Sequence, residues 1–218
     1  MMTISMKTLT LICALSLGAL GQQPPDSMTK MAVTFEGTGV PAGSFPTLPV
    51  TMYRVGTQYC RSEEAPNTAQ HAQWTIIANE PDSWTVNLLK KKAEHFVDPG
   101  PKLECRIPIF RDKQVKGDND TNPFLELEYG LELQYFKGKG AEPKQGPVLR
   151  DKPTTAYTVP IKDWQVTLYT TGTPERPWAL RRQRGNTTQT YWYDVYEQVP
   201  FNAQLFAKPE GVKIQEVR

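Results

Sequence analysis

The chain has 218 residues, with 25 Lys and Arg against 23 Asp and Glu and a formal net charge of +2 at pH 7. Its 39% hydrophobic and 10% aromatic content excludes a disordered chain, and 3 Cys are too few for a disulfide-dense miniprotein. A near-neutral balance gives no electrostatic reason to expect nucleic acid as a partner.

The chain opens with a short basic stretch, Met6–Lys7, and an apolar run from Leu9 to Leu20. That run is shorter than the ~20 residues a membrane-spanning helix needs. Ala19 and Gly21 place small residues where signal peptidase requires them, so the expected cut follows Gly21. Ile12 precedes Cys13 where a lipid-modified cysteine wants a small residue, which argues against a lipoprotein. The expected organisation is a signal peptide over 1–21, a flexible linker over 22–30 and a single domain over 31–218. Such a protein is exported, most simply to the periplasm. No cofactor is expected.

Downstream, short alternating runs separated by turn residues predict a β-meander. Met31, Val33 and Phe35 alternate first, and a hairpin follows from Val50–Arg54 and Tyr59–Glu63 around Gly56. Trp74, Ile76 and Ala78 predict one face of a strand, and Trp84, Val86 and Leu88 one face of the next. A short strand is expected at Glu94–Val97, then a turn at Asp98–Pro101 and an edge strand carrying Leu103, Cys105, Ile107 and Ile109, interrupted by Pro108. Phe124–Phe136 fits both periods. Its Leu and Glu content, Asn122–Pro123 ahead of it and Gly138 behind it favour a helix. Trp164–Leu168, Trp178–Arg182, Thr188–Tyr196 and Val212–Val217 complete a mostly β chain with one or two helices, a curved antiparallel sheet rather than a βαβ fold.

Signals for catalysis are thin. His71 and His95 lie in no metal-binding spacing, no nucleophile or phosphate-loop motif is present, and no metal site is expected. Cys60 and Cys105 form an even pair that reads as a disulfide in an oxidising compartment. The competing reading pairs one of them with His95 as a nucleophile. Glu63–Glu64 and Glu126–Glu128 read as solvated edges, and Asp118–Asn119–Asp120 as a fragment of a calcium loop lacking the closing glutamate. Two basic groups, Lys90, Lys91, Lys92 and Arg181, Arg182, Arg184, suit an anionic membrane surface. Trp84, Trp164, Trp178 and Trp192 are candidates to line a cavity.

The tail Pro200–Phe201–Asn202–Ala203–Gln204–Leu205–Phe206–Ala207–Lys208–Pro209–Glu210–Gly211–Val212 is an aromatic turn, then Pro-x-Gly, then a closing strand. It resembles the LolA-like outer-membrane lipoprotein-sorting proteins and related uncharacterised exported bacterial proteins, as does the order of hairpins, central helix and strand–strand–tail finish. The resemblance implies a half-open β-barrel with a helical cover and an apolar concave face that takes lipid acyl chains. The expected function is then non-enzymatic binding of a lipid or acylated protein. The residues expected on the concave face are Phe35, Met52, Trp74, Ile76, Trp84, Val86, Ile107 and Trp164. The alternative is an envelope protein-interaction module with a closed, solid core.

Overall fold

The computed structural model describes residues 25–100, 102, 104–110 and 123–217. The signal-peptide reading, Pro101, Leu103 and the Asp118–Asn119–Asp120 stretch lie outside them.

Among the described residues twelve strands form one sheet. In chain order they are β1 (Ser27–Gly37), β2 (Val50–Val55), β3 (Tyr59–Glu63), β4 (Trp74–Asn79), β5 (Asp82–Asn87), β6 (Lys92–Val97), β7 (Lys144–Gln145), β8 (Thr155–Ile161), β9 (Trp164–Thr171), β10 (Arg176–Arg184), β11 (Thr187–Pro200) and β12 (Lys213–Glu216). Helix α1 (Glu132–Gly138) lies between β6 and β7 in sequence. The spatial order is β12-β6-β5-β4-β3-β2-β1-β11-β10-β9-β8-β7, a curved sheet whose two edges stay unjoined, which is the expected half-open barrel. Every ladder is antiparallel except the last, where β12 runs parallel to β6.

The meander follows from local turn chemistry. Gly56, at φ 52°, closes the β2–β3 hairpin in the left-handed region that an L side chain resists. The long ladder between β1 and β11 then joins the two meanders, and it takes in the stretch expected to be linker: Ser27 to Lys30 pair with Pro200 to Glu197. Met28 is buried there.

Two expectations fail in the middle of the chain. Residues 104–110 form no strand of the sheet. They cross its concave face, with Cys105, Ile107, Ile109 and Phe110 all buried. Pro108 interrupts any ladder, and the backbone pairs locally instead: Ile109 N–H donates to the Leu127 carbonyl and Tyr129 N–H to the Ile107 carbonyl. Those same bonds keep 124–131 out of a helix, because its backbone groups are used across the chain. Gly130, at φ 82°, is then incompatible with continuing a right-handed turn, and α1 begins only at Glu132. A side chain at Gly130 would also press on Arg54 Cδ at 3.1 Å.

The main core lies between this crossing segment with α1 and the concave face. Phe110, Phe124, Leu127 and Phe136 pack on Met31, Val33 and Met52 and on Val166, Leu168 and Leu180. A smaller cluster on the opposite, convex face joins Ile77, Trp84, Val86 and Ala93 to Val212 and Ile214 of the tail.

Candidate functional site

Cross-strand partners point to the same face of a sheet, so register alone assigns the sides. On the β4–β5–β6–β12 half, Trp74 pairs with Asn87, Asn87 with Lys92, and Lys92 with Lys213. The next row is Ile76, Thr85, Glu94 and Gln215, and the third is Ala78, Ser83 and Phe96. These three rows are concave, because Ser62 and Cys60, which pair with Ile76 and Ala78, also pair with Met52 and Arg54.

Of the eight residues nominated from sequence, six sit on or over the concave side and two do not. Trp84 pairs with Ile77, and Val86 with Thr75, so both face the convex side under the C-terminal tail. The reason is phase. Each strand alternates correctly, but the turn between β4 and β5 sets the second strand one residue out of step with the first. Met52 is concave but fully covered by the core. Trp164 is concave and overlaid by guanidinium groups, Arg182 at 4.4 Å and Arg184 at 4.6 Å from its ring. Phe35 lines a groove of about 310 Å³ with Val50, Ile109, Tyr129 and Tyr191. Trp178 and Trp192 belong to the convex face, with Lys152 and Arg150 over their rings.

The remaining two with Ile107 mark the open part of the concave face. A groove of about 360 Å³ runs between the Ile76–Ala78 and Ser83–Phe96 rows and the crossing segment at Cys105 and Ile107. Phe96 lines it at 45% exposure, and Trp74, two residues before Ile76 on the same face, is 41% exposed, an unusual placement for large aromatics on a face that is covered elsewhere. Phe96 is not among the sequence nominations; its alternation with His95 inside the expected short strand carries the signal. One end of the groove is mixed in charge, with Glu80, Asp98 and Glu104 beside Lys102 and Arg106. Burial, then Asp98 and Asp82, push the Glu80 carboxyl above the usual carboxylate range. The opposite end, beyond Trp74, holds Lys90, Lys92 and Lys213.

Cys60 and Cys105 are disulfide-bonded, with Cα atoms 6.0 Å apart, and the bridge anchors the crossing segment to β3. This removes the thiol that the Cys–His reading needs. His95 instead bridges Asp82 and Glu216, at 2.7 and 2.6 Å, and stacks on Trp84. The basic group Arg181, Arg182 and Arg184 is not a patch. Arg182 is buried on the concave face against Phe110 and Phe124, Arg181 lies over Tyr169 on the convex face, and Arg184 pairs with Asp163. Lys91 is likewise separated from Lys90 and Lys92, turning away at φ 50°. Among the described residues no group of three or more His, Cys, Asp or Glu side chains is placed to hold a metal ion.

Beneath the cover, a buried polar network fastens α1. Arg54 Nη1 donates to Glu128 Oε2 and to the Tyr129 carbonyl, both at 2.9 Å. Tyr193 donates its hydroxyl to Glu132 Oε1 at 2.7 Å, and Gly130 N–H donates to the same oxygen. Burial raises the Glu132 pKa to about 7 against the lowering effect of those two donors and Arg54.

No protein-family model and no curated protein matches the sequence. Among solved structures, an uncharacterised conserved protein from Thermus thermophilus aligns over 88% of this chain and 91% of its own, at TM-score 0.53 and 10% identity. A LolA superfamily protein from Nitrosomonas europaea aligns over 84% of this chain and 90% of its own, at TM-score 0.34 and 10% identity. The first likeness is one of fold.

Proposed function

We propose that the protein is an exported carrier that shelters one apolar chain, the acyl chain of a lipid or of a lipid-modified polypeptide, in the open groove of its concave face and catalyses no reaction. The observation that carries this reading is the exposed Phe96, which lines a groove of about 360 Å³ with Ile76, and the exposed Trp74 next to Ile76 on the same face of β4. Ligand pockets run from roughly 300 to 1,000 Å³, so this one suits a single chain. Moving an acyl chain from water into it contributes roughly 0.8 kcal/mol per buried CH₂. The disulfide supports an oxidising compartment and hence export, with the periplasm as the expected location. No helix among the described residues is long and apolar enough to cross a membrane.

A second reading, a protein-interaction module, is favoured by the filled state of the other half, where Phe110, Phe124 and Phe136 occupy the concavity. Mass spectrometry of the organic extract of gently purified protein separates the two. The carrier reading expects a lipid or acylated peptide in near-stoichiometric amount. It also expects that amount to fall in Phe96→Ser and to persist in Leu88→Ser, a residue of similar exposure on the convex side. An empty extract that stays empty after incubation with fatty acid would move the assignment to the interaction module.

A further inference from the structure

The lysine end of the groove has a composition that the apolar reading does not use. Lys90, Lys92 and Lys213 surround a pocket of about 200 Å³ floored by Trp74 and Asn87. Lys213 reaches it only because β12 docks parallel on β6 and sets Lys213 opposite Lys92. None of the three lysines makes an ion pair among the described residues, although Lys30, Lys137 and Lys139 elsewhere on the molecule do.

Asn87 supplies the second, independent observation. It is only 2% exposed, and its Oδ1 accepts from the backbone N–H groups of Gln73 and Lys90. Two N–H donors on one oxygen fix which way the amide points. Its Nδ2 is therefore the free end, and that buried donor has no partner. An unpaired buried donor is costly to keep, and an acceptor placed against it removes the cost. Three cations line this pocket, with Asn87 in its floor, against a single carboxylate on its lining, Glu94.

We infer that this pocket binds the anionic headgroup, a phosphate monoester or carboxylate, of the amphiphile whose chain lies in the adjoining groove. The inference rests on the carrier reading and gives the ligand its class and direction. Trp74 and Ile76 are neighbours on one face of β4, about 7 Å apart along the strand, so the headgroup pocket opens directly onto the apolar rows. The far end, where Lys102 and Arg106 stand among Glu80, Asp98 and Glu104, offers an anion no comparable excess of positive charge. The headgroup therefore sits at Lys90, Lys92 and Lys213, with the tail running past Ile76 towards Phe96 and Ile107.

The test is a calorimetric titration of the purified protein with three probes below their micellar concentrations: dodecyl phosphate, dodecyl maltoside and inorganic phosphate. The expected result is dodecyl phosphate binding about tenfold or more tightly than dodecyl maltoside, as charge-assisted bonds to a partly desolvated anion allow. That preference is expected to vanish in the triple variant K90Q/K92Q/K213Q and in Asn87→Asp, and to weaken with added salt. Equal affinity for the two dodecyl probes would overturn the headgroup pocket and leave the groove standing. Inorganic phosphate binding as tightly as dodecyl phosphate would support the anion pocket and overturn the groove. Binding of none of the three would overturn both.

Discussion

The two halves of the concave face are built from the same kind of strand and end in opposite states. On the β1–β11–β10–β9–β8 side the inward residues, Val33, Leu180, Leu168 and Val159 among them, are sealed under the crossing segment and α1. On the β4–β5–β6–β12 side the inward rows carry Trp74, Ile76 and Phe96 among polar residues, and Trp74 and Phe96 stay open to solvent. What differs is what lies over each half, not the alternation within the strands. Apolar side chains set among polar ones beside a cover that stops short make a binding surface; a wholly apolar face under a cover is a core.

The cover is held by its own bonds, which makes the comparison testable. Replacing Cys60 and Cys105 with Ser opens a loop with a sequence separation of 45 and should lower stability by about 4 kcal/mol in urea denaturation. Phe136→Ala, in the sealed half, should cost a similar amount, about 4 kcal/mol. Phe96→Ala, in the open half, should change stability by no more than about 0.5 kcal/mol. Comparable losses from the two phenylalanines would erase the distinction between the halves.

Glu132 makes the sealed half pH-dependent. Burial raises its pKa to about 7 in the folded protein, whereas the unfolded chain ionises near 4.3. Between those values the unfolded state has already released the proton that the folded state retains, so stability falls as pH rises. Across the window this group should account for a decline of roughly 4 kcal/mol, and Glu132→Gln should flatten the profile. A wild-type profile already flat between those limits would contradict the buried carboxyl.

The smallest effect belongs to the open half, at its edge. Burial pulls the His95 pKa down, but the hydrogen bonds and charges of Asp82 and Glu216 outweigh it and leave it above the ordinary imidazole value. A raised imidazole stabilises fully below about pH 6.5, and that support is lost as pH rises through the folded pKa. Docking of β12 should therefore loosen on the alkaline side. Hydrogen exchange of the Val217 amide, bonded to the His95 carbonyl at 2.8 Å, should quicken there and become pH-insensitive, beyond the intrinsic rate, in Glu216→Gln.

Much of this architecture was legible from local pattern. The β2–β3 hairpin, the shared face of Trp74, Ile76 and Ala78 and the Trp164–Val166–Leu168 face of β9 follow from period and turn residues, and the pairing of Cys60 with Cys105 was expected from an even pair in an oxidising compartment. Those signals span a few residues, or the parity of a cysteine count, and need no knowledge of the rest of the chain. The phase of one strand against the next is different. Trp84 and Val86 alternate as well as Ile76 does, yet they face the tail, because one residue of register inverts every side chain.

The sequence by itself determined a mostly β chain and its turns, and left the disulfide as one of two readings of Cys60 and Cys105. The tertiary structure alone decided which half of the concave face stays open, since that depends on where residues 104–110 cross and how far α1 reaches. It alone brought Lys213 beside Lys92 and left the amide Nδ2 of Asn87 buried without a partner. Parallel docking of the tail joins residues far apart in sequence, and no local periodicity encodes such a contact.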